Sequence, residues 1–259
     1  MVIKNEGELK NIYRFFLKDS IRKMIDFSQT DQNRGIECPP VEKPYAAEAL
    51  KVDLVKPGTW ENINKPDLIS AFARRSSRRD YTNEPLTLEE VSFLLWVIQG
   101  VRESPVPGHA LRTVPSAGCR HALETYLLVL NVEGLKQGVY RYLPLSHQLL
   151  FEFHTDNLSA KIVKATLGQS FTGRSAVTFI WSAIPYRMEW RYGLAAHKVI
   201  AIDAGHVGQN LYLACEAIGA GACAIAAYDQ EAMDALLRLD GETEFAVYLA
   251  AVGKDAQQQ

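Results

Sequence analysis

The sequence predicts an α+β domain built around a mixed or antiparallel sheet. Three observations lead there. Two strand-like runs, Gly138 to Leu143 and Gln148 to Phe153, are joined by Pro144-Leu145-Ser146-His147 as in a hairpin. Helical and strand segments do not follow a strict βαβ alternation. No Gly-x-Gly-x-x-Gly fingerprint follows a strand, which argues against a Rossmann dinucleotide site.

In chain order, Glu8 to Phe27 shows helical apolar spacing through Ile12, Phe15, Phe16, Ile21, Met24 and Ile25. Residues 28 to 65 are polar and carry Pro and Gly, so the expected organisation is an N-terminal helix and extended arm (1–65) packing on a main domain (66–259). Leu68 to Ala73 suffices for one or two helical turns. Thr87 to Ile98 is the clearest helix, with Thr87 as N-cap, Glu90 at the reciprocal capping-box position and Gly100 ending it. Leu123 to Asn131 reads as a strand ahead of the hairpin. On that hairpin Tyr140 and Tyr142 alternate with Val139 and Arg141, so they pack on one face. Asn157 to Leu167 reads as a helix and Ala176 to Ala183 as a buried strand.

His197 to Ile218 predicts a long helix rich in Ala and Gly, with so little polar face that it must be buried in a core or against a partner. Ala222 to Tyr228 and Phe245 to Val252 read as strands, separated by the helix Gln230 to Leu239. The near-apolar stretch Leu211 to Tyr228 has the length of a membrane span, but Glu216 and Gly219-Ala220-Gly221 interrupt it. It reads as helix, turn and strand. Residues 101 to 111 and 185 to 195 are expected to be loops that shape the pocket, and Gln257 to Gln259 is a low-complexity terminus.

The 259 residues are 47% apolar, enough for one substantial core, and carry a formal charge of −2. Near neutrality argues against a nucleic-acid or anionic-membrane partner held by bulk charge. Met1 to Lys10 lacks the apolar run of a secretory signal, so a cytoplasmic location is expected. Cysteines 38, 119, 215 and 223 have no metal or redox spacing and read as reduced thiols; no metal site is expected.

Chemistry concentrates in four segments. In Arg75-Ser76-Ser77-Arg78-Arg79-Asp80-Tyr81, guanidiniums flank paired hydroxyls and can converge on one phosphate; a solvated basic patch is the alternative. In Arg112-Thr113-Val114-Pro115-Ser116-Ala117-Gly118, the Ala-Gly end lets backbone approach a flat ligand, unless this is an ordinary turn before a strand. The third segment is Trp190-Arg191-Tyr192-Gly193 with Ile202 to Leu211, and the fourth Ala222 to Asp229. Asp203 and His206, three apart on a helix, form either a catalytic dyad or a buried polar pair at a helix–helix or dimer interface; the second reading is preferred.

Five motifs occur in order: Arg-x-Ser-x-Arg-x-Tyr (75–81), Leu-Leu-Trp…Gln-Gly (94–100), Arg-Thr-x-Pro-Ser-Ala-Gly (112–118), Asp-Ala-Gly-His-x-x-Gln-Asn-Leu (203–211) and Ile-x-Ala-Tyr-Asp (225–229). Together they resemble the flavin-dependent nitroreductase superfamily, and within it the SagB-type, azoline-oxidase-like dehydrogenase branch. The resemblance implies a nitroreductase-like fold with the long helix at a homodimer interface, and FMN bound without a covalent link. It assigns Arg75, Ser77 and Arg79, with Ser76 also in contact, to the FMN phosphate; Arg74 and Arg78 are expected to face solvent. Pro115, Ser116, Ala117 and Gly118 are assigned to the isoalloxazine, and Ala226-Ala227 to a backbone N–H facing flavin N5. Arg191 and Tyr192 take the catalytic place, where azoline-oxidising relatives carry Lys-Tyr; a surface ion pair beside a packed aromatic is the alternative. Arginine stays protonated near neutral pH, so Arg191 is no general base but can hold an anionic substrate or a Tyr192 phenolate. The implied activity is two-electron hydride transfer to or from a small-molecule or peptide-derived substrate, with NAD(P)H as a candidate donor. Arg191 in place of Lys and Ala226 in place of Gly leave open a non-catalytic flavin-binding protein or a partner subunit of a peptide-modifying complex. A phosphate-ester enzyme finds no metal-ligand cluster or nucleophile in its support.

Overall fold

Alternation along the central strands builds the molecule outward from one sheet. The computed structural model describes residues 5–103 and 108–256. The strands β1 (Lys51–Asp53), β2 (Leu123–Val129), β3 (Gly138–Leu143), β4 (Gln148–Phe153), β5 (Val177–Ala183), β6 (Ala220–Ile225) and β7 (Phe245–Lys254) lie in the order β1-β4-β3-β2-β5-β7-β6. Every pairing is antiparallel, which selects one of the two expected sheet types.

Every residue of β2 and β5 is buried. Successive strand side chains point to opposite faces, and both faces are covered. Leu127, Val129, Phe179 and Trp181 face one core, with α3 (Leu88–Gln99) and α6 (Ala196–Cys215). Tyr126, Leu128 and Ile180 face a second core with α4 (Leu158–Ala165) and α7 (Gln230–Leu237). This explains why the strands read as near-continuous apolar runs. Tyr140 and Tyr142 both enter the first core, as their spacing predicts.

The capping box on α3 forms as expected, with Thr87 accepting from the Glu90 N–H and Glu90 from the Thr87 N–H. On α6, Gly208 packs against β7: a Cβ there would lie 2.6 Å from the Tyr248 ring.

Several expectations need correction. The N-terminal helix α1 (Glu6–Leu17) stops where Lys18 turns extended, and Asp19–Met24 winds as a 3₁₀ turn. None of α1 is buried. The arm is not wholly irregular, because β1 pairs with β4 at the sheet edge. Residues 185 to 195 are not a plain loop: α5 (Tyr186–Tyr192) forms there, its Trp190 indole N–H donating to the Ile36 carbonyl of the arm. β6 ends at Ile225, opposite Leu249, three residues short of the expected end at Tyr228. α6 ends at Cys215, and its burial is one-sided over its first half, where Ala201, Ile202, Gly205 and His206 are exposed. No helix among the described residues is long and apolar enough to cross a membrane. The expected loop 101–111 lies partly, and Gln257 to Gln259 wholly, outside the described residues.

Candidate functional site

The segment following α2 (Leu68–Arg74) runs extended, so its side chains alternate between two faces. Arg78 and Arg74 turn to one side. Arg78 reaches Asp255 at 2.6 Å and Glu216 at 3.6 Å, Arg74 reaches Glu216 at 3.4 Å, and Ser76 Oγ accepts from Arg78 Nε. Arg78 is therefore a largely buried anchor and not the solvent-facing side chain expected, because the two carboxylates beneath it need a counter-charge. Ser76 sits on this anchoring face. Arg75, Ser77 and Arg79 turn the other way. No carboxylate among the described residues pairs with Arg75 or Arg79; their guanidiniums lie over the rings of Tyr212 (5.3 Å) and Phe171 (5.8 Å). Two uncompensated guanidiniums around a hydroxyl suit a phosphate.

This face is pinned to β6. Ser77 pairs with Ala222, and the Arg78 N–H donates to the Ala222 carbonyl. Tyr212 on α6 ties the two together: its hydroxyl meets Ser77 Oγ at 2.8 Å and accepts from the Ala224 N–H at 2.8 Å. Ala226 and Ala227 follow β6 and are exposed, with the Ala227 carbonyl accepting from Gln169. Ala226 does not adopt a positive φ, so its methyl is unstrained.

A second cluster forms at the other end of α6. The turn at Gly118 (φ +61) lies so close to α5 that a Cβ would fall 2.6 Å from Tyr192 Oη and 3.0 Å from Arg191 Nε. The Arg191 guanidinium stands over the Tyr192 ring at 5.5 Å. The turn is held from behind. Ser116 Oγ accepts from the His121 N–H, and the buried Asp203 carboxyl stands beside this turn. Burial raises the Asp203 carboxyl above its ordinary range, against the lowering influence of the nearby Ser116 hydroxyl, Ala117 N–H and His206, and Asp203 Oδ2 has no hydrogen-bond partner among the described residues. Burial, then Arg112, pushes His121 down to about 3. The ring is thus neutral near pH 7, with Nε2 donating to the Ala110 carbonyl.

Within the single chain Asp203 is buried beside the Ser116–Ala117 turn and His206 is exposed, so the expected polar pair is not closed off inside one chain. Arg120 also escaped sequence reading. It is fully buried, donates to the carbonyls of Arg187, Gly108 and Pro39, and lies 4.7 Å from the Trp190 ring. Its position two residues after the Pro-Ser-Ala-Gly turn was the one available signal. Asp203 and Tyr212, the supports of the two clusters, are roughly 14 Å apart along α6.

The chain is similar to several known proteins. A protein of Methanocaldococcus jannaschii, provisionally named a nitroreductase, is 30% identical over 193 residues, covering 74% of this chain and 93% of its own. A structure from Ralstonia eutropha JMP134, also provisionally named a nitroreductase, superposes with a TM-score of 0.66 at 24% identity, over 85% of this chain and 95% of that one. A chain of the Escherichia coli microcin synthetase McbBCD complex with truncated pro-MccB17 bound superposes with a TM-score of 0.58 at 21% identity, over 96% and 94% of the two chains. The Nitroreductase family profile matches residues 71–254, from within α2 to the end of the last strand, and the chain belongs to that family.

Proposed function

We propose that the protein is an FMN-dependent oxidoreductase of the SagB-type dehydrogenase branch, acting in the cytoplasm as a homodimer whose flavin site draws on both copies. One observation carries this reading. Within a single run of basic residues, Arg74 and Arg78 are matched to carboxylates while Arg75 and Arg79 are not, so a built positive site is left around the Ser77 hydroxyl. A surface patch without a ligand would not need that division.

The donor set fits the phosphate of FMN, with Arg75 and Arg79 supplying charge and Ser77 a hydroxyl. Bound FMN supplies two-electron hydride chemistry at N5. Around it, the Pro115–Gly118 turn offers a close backbone surface, and Ala226-Ala227 offers main-chain N–H groups past the end of β6. Tyr192 is the proton-handling group. Arg191, permanently cationic, orients an anionic group of the substrate or favours the ionised phenol. The substrate is small or peptide-derived, with NAD(P)H as donor if the enzyme works reductively.

A second reading has its own support. The microcin synthetase chain matches nearly the full length of this one, and its complex has truncated pro-MccB17 bound. A partner subunit of a peptide-modifying complex, or a flavin-binding protein without turnover, fits that likeness and the Arg191 departure.

The visible absorption spectrum of the purified protein, with heat release and identification of the chromophore, tests the cofactor. Released FMN is expected; a colourless protein that takes up no added FMN overturns the proposal. Anaerobic addition of NADH, NADPH or a candidate substrate then separates the two readings. Reduction and reoxidation in turnover mark an enzyme, whereas an oxidised, unreactive flavin marks the binding subunit.

A further inference from the structure

Tyr212 lies outside the residues that the motifs assign to FMN, yet three contacts meet on it. Its ring carries the Arg75 guanidinium at 5.3 Å, its hydroxyl accepts from the Ala224 N–H at 2.8 Å, and the same hydroxyl meets Ser77 Oγ at 2.8 Å. A phenol has one proton. With one lone pair taken by Ala224, the geometry lets that proton go to Ser77 Oγ. The Ser77 hydrogen is then left over, on an exposed side chain between two guanidiniums that have no carboxylate partner among the described residues.

We infer that Tyr212 is a positioning residue that sets the Ser77 hydroxyl as a donor to a phosphate monoester and thereby selects the phosphorylated flavin over the unphosphorylated one. This rests on the flavin reading proposed above. Without the phenol proton, Ser77 is free to spend its own hydrogen on a neighbouring protein acceptor, and Arg75 keeps a ring to lie on but loses the oriented hydroxyl beside it. The contribution is specific to the phosphate. Riboflavin has the same ring system and ribityl chain but no group for Ser77 to meet. The phenol also links the anion segment to the main chain of β6, two residues before Ala226.

The test is a fluorescence titration of apoprotein with FMN and with riboflavin, for the wild type, Tyr212→Phe, Ser77→Ala and the double variant. Loss of a hydrogen bond to a charged group should weaken FMN about tenfold in each single variant, with riboflavin unchanged. The double variant should be no weaker than Ser77→Ala alone, because both changes remove one contact. Tyr212→Phe that weakens both flavins equally, or neither, overturns the inference. If Tyr212→Phe does not accumulate as folded protein, Tyr212→His keeps a ring N–H near Ser77; retained preference for FMN is then expected, and lost preference overturns the inference. Failure of the wild type to take up either flavin sinks the flavin reading as a whole. FMN uptake by the wild type, with unchanged preference in Tyr212→Phe, sinks this inference alone.

Discussion

Gly118 and Tyr192 show how tightly single residues shape the second cluster. Gly118 has φ +61, a region that favours glycine, and an added Cβ would meet Tyr192 Oη at 2.6 Å. Gly118→Ala is expected to destabilise the fold by about 1–3 kcal/mol in urea unfolding and to lower turnover by displacing Tyr192. Asp203 makes a different prediction, in pH. Its carboxyl is raised above the ordinary 3.8, chiefly by burial. A raised acid folds best protonated, so its contribution is undiminished below the unfolded value and falls as pH rises from there to the folded value. Asp203→Asn cannot ionise and has nearly the same size and shape. Thermal melts across pH 3–7 should show the variant gaining on the wild type as pH rises; a constant difference would contradict the buried, raised carboxyl.

Among the elements, α5 illustrates how buried charges are held only as partners. Glu124 on β2 accepts from Arg187 on α5 at 2.6 Å and lies 3.4 Å from Arg141 on β3. Burial pushes the Glu124 carboxyl up, but the Arg187 and Arg141 guanidiniums outweigh it and hold it below the usual carboxylate range. Removing one member leaves uncompensated buried charge. Glu124→Gln is therefore expected to cost about 3–5 kcal/mol in denaturant unfolding at pH 7. The change also frees the helix that carries Arg191 and Tyr192. Helix α3 rests on a local device instead, and its capping box was readable from Thr87 and Glu90 because both partners lie within one turn.

Across the whole molecule, exposed apolar side chains gather on helices. Ile69 is 82% and Phe72 55% exposed on α2, and Ile202 is 48% exposed on α6. Phe16 of α1 and Ala201 and Gly205 of α6 line a largely apolar cavity of about 360 Å³. Contiguous exposed apolar surface marks an interaction site, and a second copy of the chain is the partner proposed here. Ala201→Arg should therefore give a monomer in analytical ultracentrifugation and should lose bound FMN, since the proposed flavin site needs both copies. A dimer that keeps its flavin after this change would refute that placement of the interface.

Features that depend on near neighbours or on periodicity were legible in the amino-acid order alone. The antiparallel hairpin of β3 and β4, the capped helix α3 and the break of the apolar stretch after Cys215 all appear in the structure. The motifs also led to the family, because five short segments in order are recognisable without coordinates. Other features follow from residues distant in sequence, which packing alone brings together. The division of Arg74 and Arg78 from Arg75 and Arg79 follows from Glu216 and Asp255, far along the chain. Asp203 proved to lie buried beside the Ser116–Ala117 turn, and Tyr212 proved to join Ser77 to Ala224. Helix α5, which carries no strong local signal, forms where Trp190 meets the arm and Arg187 meets Glu124. Local propensity and spacing act within a few residues, whereas partners for buried charge and for spare hydroxyls are supplied by whichever distant segments the packing brings together.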